Sequence, residues 1–212
     1  MQITNGGASE MSVQPLEPRP LPYTNLEGIS DKQLAEHYKL YEGYVKKYNE
    51  LSQKALEVNP EESNGTYTEI REVNLEKVFA LNAIKLHEAY FENMTDNAQE
   101  CTGTIKQLIE KQWGSVEAWA TDFAALGLSA RGWVVLAFDF DNARLENYIC
   151  DAHNQGGVWN AGALLVLDVY EHAYFLDYAT ARKDYVTSFM KLIDWSVVNE
   201  RIPKWAVEKH AQ

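Results

Sequence analysis

Leu164-Leu165-Val166-Leu167-Asp168-Val169-Tyr170-Glu171-His172-Ala173-Tyr174 sets a carboxylate and an imidazole four residues apart at the point where an apolar run ends. Leu164 to Leu167 reads as a buried strand. Such a strand offers Asp168 no water, so its carboxylate is either exposed at the strand end or held by a cation or a strong donor. His172 supplies a nitrogen nearby. On these residues alone two readings stay open: one half of a metal site, or a hydrogen-bonded aspartate beside a core histidine.

Working outward, Gly132 to Phe138 and Leu145 to Cys150 are two more β-prone runs, joined through Asp139-Phe-Asp-Asn-Ala143 as a hairpin. Upstream, the pattern changes to helix. Ser30 with Gln33 forms a capping box, and Leu34, His37, Tyr41, Tyr44, Tyr48 and Leu51 recur at three and four residues. After the breaks at Asn59-Pro60 and Ser63-Asn-Gly65, a second stripe runs through Leu75, Val78, Phe79, Asn82, Leu86, Tyr90 and Phe91, with His87 beside it. A turn near Thr95-Asp96-Asn97 ends that helix. Ile105 to Lys111 and Val116 to Phe123 read as short helices, and Tyr185 to Val198 as a closing one.

This order is that of an α+β protein: a long antiparallel α-hairpin, then a mixed lobe with a small antiparallel sheet of about three strands flanked by helices. The expected division is a flexible leader at 1–20, rich in proline, a helical-hairpin domain at 21–100 and a C-terminal α/β domain at 101–212.

Composition narrows the function classes. A formal net charge of −12 argues against nucleic acid or an anionic membrane surface as a partner. Cys101 and Cys150 are too few for a disulfide scaffold and fit a reducing compartment. No run reaches the ~18 apolar residues of a membrane span, and the first residues lack a secretory pattern. The expectation is a soluble, cytoplasmic protein.

Asp168-Val-Tyr-Glu-His-Ala-Tyr-Phe-Leu-Asp-Tyr178, followed by Ala181-Arg182 and Tyr185, resembles the C-terminal signature of the iron/manganese superoxide dismutases. Ile29-Ser30 with His37-Tyr38 and Tyr44-Val45 is similar to that family's first-ligand helix. Phe79 to His87 with Tyr90-Phe91 is similar to its second. Trp113-Gly-Ser115 with Phe123, Arg131-Gly132-Trp133 and Ile193-Asp-Trp195 resemble further family segments, so the likeness covers residues 21 to about 201.

The resemblance implies that His37, His87, Asp168 and His172 bind one manganese or iron ion, with water or hydroxide completing a five-coordinate site. The ion would cycle between two oxidation states, converting superoxide to dioxygen and hydrogen peroxide. Mixed nitrogen and oxygen donors suit either metal. Gln155 falls where manganese-type members carry a glutamine bonded to the metal-bound solvent, while Ala83 occupies the iron-type glutamine position, which tilts the metal toward manganese. His153 reads as a loop histidine and His210 as solvated.

Tyr44 resembles the family's gateway tyrosine, but seven residues separate it from His37 where the family has eight. At about 100° per residue that turns Tyr44 relative to His37, so the helix adjusts its winding or Tyr41 shares the task. The gateway histidine has no counterpart, since Leu40 or Tyr41 falls there. Tyr170 and Lys85 stand where tryptophans are usual, and Trp133 would pack over the ligands. Glu171 would reach His172 of a second subunit across a two-fold axis, with Tyr174 beside it, implying a homodimer or a dimer of dimers. Lys39 and Arg182 would steer the superoxide anion.

Three alternatives stay open: a dismutase-like dimeric binding or structural protein with reduced or lost activity, a mononuclear iron oxygenase, and a di-iron carboxylate bundle. The last is disfavoured because Glu36 and Glu88 lack paired Glu-x-x-His spacing.

Overall fold

The computed structural model describes residues 13–23 and 25–205. The first twelve residues of the expected leader, and His210, lie outside the described residues. Helix α1 spans Asp31–Glu57 and α2 spans Glu69–Glu92, forming the expected hairpin. Ser30 caps α1 by accepting from the Gln33 amide at 3.1 Å, and Asp31 and Lys54 match the polarity of its two ends. Leu34, His37, Tyr41 and Val45 are its buried line.

On α2 the buried line differs from the expected stripe. Val73, Ala80, Ala83, Ile84, His87, Tyr90 and Phe91 face inward, while Leu75 and Val78 are exposed. Ala80 and Ala83 explain the rotation, since small side chains let the α1 backbone approach and draw His87 into the interface. Asn93 then ties the end of α2 to the sheet: its amide nitrogen donates to the Val166 carbonyl at 3.2 Å, and its oxygen accepts from the Val166 amide at 2.8 Å. That pair of bonds places His87 relative to Asp168.

Helices α3 (Gly103–Trp113) and α4 (Val116–Ser129) lead into the sheet. Strands β1 (Trp133–Asp139), β2 (Arg144–Cys150) and β3 (Ala161–Asp168) form an antiparallel sheet in the order β2-β1-β3. The central strand, β1, is buried almost throughout, as its apolar run requires. Its register sets Trp133 opposite Asp168 on one side and Cys150 on the other. Each fully buried large apolar side chain here stabilises the fold by roughly 1.5–3 kcal/mol.

After β3 come a 3-10 turn at Glu171–Ala173 and the short helices α5 (Phe175–Tyr178), α6 (Arg182–Phe189) and α7 (Trp195–Glu200). The single closing helix expected from Tyr185 to Val198 is therefore two helices. Tertiary pairing breaks it: the Thr95 amide donates to the Leu192 carbonyl and the Asp194 amide to the Asn93 carbonyl, after which Asp194 caps α7. The leader also differs from expectation at 13–20. Leu16 exchanges two 2.9 Å bonds with Asn49, and the Arg19 amide donates to the Tyr41 hydroxyl at 2.8 Å, so this stretch is docked on the hairpin. Among the described residues, no helix is long and apolar enough to cross a membrane.

Candidate metal centre

His37 from α1, His87 from α2, and Asp168 and His172 from the end of β3 converge so that one donor atom of each lies within 4.8 Å of every other. Asp168 Oδ2 is the hub. It stands 3.0 Å from His37 Nε2, 3.2 Å from His172 Nε2 and 3.9 Å from His87 Nε2. The other carboxylate oxygen, Oδ1, accepts from the Tyr170 amide at 2.9 Å, which fixes the plane of the group. Asp168, His37 and His87 are buried, whereas His172 is 27% exposed.

Protonation states follow from burial. Desolvation lowers the His37 pKa despite its bond to Asp168, so that contact is a hydrogen bond from a neutral ring rather than an ion pair. Desolvation and the neighbouring His37 push His87 down to about 3. Burial works to raise the Asp168 carboxyl, but the electrostatic pull and hydrogen bonds of the His172 and His37 rings outweigh it and hold the group well below the usual carboxylate range. The cluster at neutral pH is thus an anionic carboxylate with neutral imidazoles at His37 and His87.

His87 decides what the cluster is for. Its Nδ1 donates to the Ala83 carbonyl at 2.7 Å, which leaves Nε2 unprotonated and turned toward Asp168. That Nε2 is buried and has no hydrogen-bond partner. A lone pair facing an anionic oxygen in a dry site is costly by roughly 1–3 kcal/mol unless a cation joins them. Donors 3.0–3.9 Å apart are also spaced as neighbours around an ion with bonds of about 2 Å. The residues fit a single first-row metal ion.

Beside the cluster, Trp133, His153 and Tyr44 form a chain. The Trp133 indole donates to His153 Nδ1 at 3.0 Å, and His153 Nε2 lies 2.9 Å from the Tyr44 hydroxyl. Trp133 also stands perpendicular to the His87 ring at 5.0 Å. His153 stands in the turn after β2, as expected of a loop histidine, but its ring is buried beside the cluster.

Gln155, expected at the metal-bound solvent, is exposed, and its amide closes a turn on the Ala152 carbonyl beside the inward-facing His153. Gly156, with φ at +93°, lets this turn lie against β2, where a Cβ would meet the Ile149 carbonyl at 2.1 Å. The manganese tilt drawn from Gln155 accordingly loses its residue.

The shortened spacing to Tyr44 needs no adjustment. Along the unbroken α1, seven residues turn about 700°, only about 20° short of two full turns, so Tyr44 shares the His37 face. Tyr41 does not share its task, because its hydroxyl donates to Glu88 at 2.8 Å.

Tyr170 stacks on His172 with ring centroids 5.1 Å apart. Tyr174 is buried away from the cluster, stacked on Tyr185 and accepting from Arg182. Glu171 is exposed beside His172. Neither expected steering cation is free, since Lys39 pairs with Glu36, and Arg182 donates to Tyr174 and to the Ala130 carbonyl.

Comparison with known proteins agrees with this chemistry. Residues 101–201 match the family described as iron/manganese superoxide dismutases, C-terminal domain. The chain is 38% identical over 200 residues to the superoxide dismutase (Fe) of Aquifex pyrophilus, covering 92% of this chain and 94% of that protein. It is 37% identical over 200 residues to the corresponding protein of Aquifex aeolicus (strain VF5), with the same coverage. With superoxide dismutase (Mn) 1 of Haloferax volcanii it shares 34% over 190 residues, 87% of this chain and 92% of that protein.

Proposed function

Because the chain belongs to the iron/manganese superoxide dismutase family, we propose that its conversion of superoxide to dioxygen and hydrogen peroxide takes place at His37, His87, Asp168 and His172, which hold one iron or manganese ion. The orphaned Nε2 of His87, opposed to an anionic carboxylate in a buried pocket, carries this reading. Held by these four residues, the ion would supply one-electron exchange with superoxide.

The protein's own residues handle the protons, two of which enter each hydrogen peroxide. An indole nitrogen only donates, so Trp133 makes His153 Nδ1 an acceptor. Burial keeps His153 neutral, with its pKa down to about 4. Its one ring hydrogen therefore sits on Nε2 and points at the Tyr44 oxygen. Tyr44 is then left with its own O–H free to turn toward a reduced dioxygen species. Burial and the negative charge of Asp168 raise the Tyr44 pKa, which keeps that hydrogen in place at neutral pH. Tyr170, stacked on His172, limits water at the most exposed ligand.

A homodimer in the cytoplasm completes the proposal. Support comes from the exposed Glu171 carboxylate next to His172 and from two buried free thiols.

Metal analysis of protein from its native host, with a superoxide-consumption assay, tests the reading. About one iron or manganese per chain is expected, and Asp168→Ala should abolish metal and activity while circular dichroism stays native. Metal binding without superoxide consumption would overturn it in favour of a binding module.

A further inference from the structure

Gln33 lies four residues before His37 on α1, hence on the same helix face one turn earlier. A capping-box reading would turn its side chain back to the Ser30 amide. It goes elsewhere. Nε2 donates to the His172 carbonyl at 2.6 Å, and Oε1 accepts from the Leu176 amide at 3.0 Å. The two partners are opposite in kind, so the orientation of the amide is fixed by its contacts. Asp177 takes the vacated role, accepting from the Ser30 amide at 2.7 Å and from the Ser30 hydroxyl at 2.6 Å.

Gln33 is only 1% exposed. A buried amide with both ends paired across two chain segments is a rigid bracket. The segment it grips needs one. His172 belongs to a 3-10 turn of three residues, followed by a four-residue helix with Phe175, Leu176 and Asp177 exposed. The buried Ala173 and Tyr174 anchor one side of it, but the His172 ring between them and β3 must still sit 3.2 Å from Asp168 and 4.9 Å, centroid to centroid, from His37.

We propose that Gln33 is a positioning residue for the metal site, setting the distance between the His37 helix and the His172 turn through the His172 and Leu176 backbone. The proposal rests on the reading of His172 as a ligand. Gln33→Met keeps the length and removes both bonds; Gln33→Glu keeps the acceptor for Leu176 and loses the donor to His172.

The test measures metal retention against a competing chelator, together with the electron paramagnetic resonance spectrum of the bound iron or manganese. Gln33→Met should hold metal roughly tenfold less tightly, in the range seen when groups supporting a ligand are removed, with an altered spectrum. Gln33→Glu should show the same changes. Asn199→Ala serves as the control, because Asn199 is a comparable bracket joining α3 to α7 away from the site. It should lower thermal stability without changing retention or spectrum.

Native retention and spectrum in Gln33→Met overturn the proposal, as does an equal loss of retention in Asn199→Ala. Should His172→Ala retain metal with a native spectrum, the assignment of the ligand itself fails instead.

Discussion

His37 and His87 stand within helices of 27 and 24 residues, whereas Asp168 and His172 stand where a strand gives way to short turns. The helical pair is fixed by packing: both rings are buried, and His87 is locked by a bond within its own helix. The strand-end pair is fixed by hydrogen bonds, from Tyr170 to Asp168 and from Gln33 to the His172 turn. One half keeps its shape without metal at the cost of an unpaired nitrogen. The other depends on a few polar contacts, each of which tunes the site.

The largest test of this contrast lies between the halves, at His153. His153→Ala leaves all four donors in place and removes the partner of both Tyr44 and Trp133. Superoxide turnover should fall on the order of 10–100-fold with metal content near native. Turnover at the native level would show that the chain from Trp133 to Tyr44 carries no proton.

Acid should separate the halves in the metal-free chain. His87 and His153, with pKa values down to about 3 and about 4, stay neutral when folded but bind protons near pH 6.5 once unfolded. Unfolding therefore takes up protons, and stability falls as pH drops from about 6.5 toward 4 for His153 and toward 3 for His87. Asp168 behaves differently: its depressed carboxyl contributes stability above about pH 3.8, lost only below that. Urea unfolding at successive pH values should show a decline that sets in near pH 6.5 and steepens below about 3.8, where the Asp168 contribution is lost as well. A flat response between pH 7 and 5 would contradict the buried neutral histidines.

A smaller effect of opposite sign in the two halves sharpens the comparison further. His87→Leu removes the orphaned nitrogen and should stabilise the metal-free chain by about 1 kcal/mol while eliminating metal binding. His172→Leu takes a hydrogen-bond partner from Asp168 and should destabilise the metal-free chain by about 1 kcal/mol. Equal destabilisation by both substitutions in urea melts would erase the distinction.

The strand-end half was legible because it is local. An apolar run followed by Asp168 and, four residues on, His172 carries its geometry in its spacing, and the α1 stripe carries His37 and Tyr44 in the same way. On α2 the expected stripe and the buried line share Tyr90 and Phe91 but part in the first half of the helix, since hydrophobicity favours Leu75 and Val78 while close helix packing selects Ala80 and Ala83. The break between α6 and α7 has a local part, the Asp194 cap, but Asn93 and Thr95 complete it from another part of the chain.

By itself, the sequence determined the α+β order, the two long helices and the strand carrying Asp168 through periodicity and spacing, while the four candidate donors were named only by the chain's resemblance to a known family. Only the tertiary structure decided that His153 turns inward to meet Tyr44 while Gln155 is exposed, that Gln33 leaves its cap to hold the His172 turn, and that His87 Nε2 is stranded beside a carboxylate. The reason is physical. Where a loop side chain points, and which partner a buried amide takes, depends on which segment packs against it, and in a close-packed interior that is a property of distant residues.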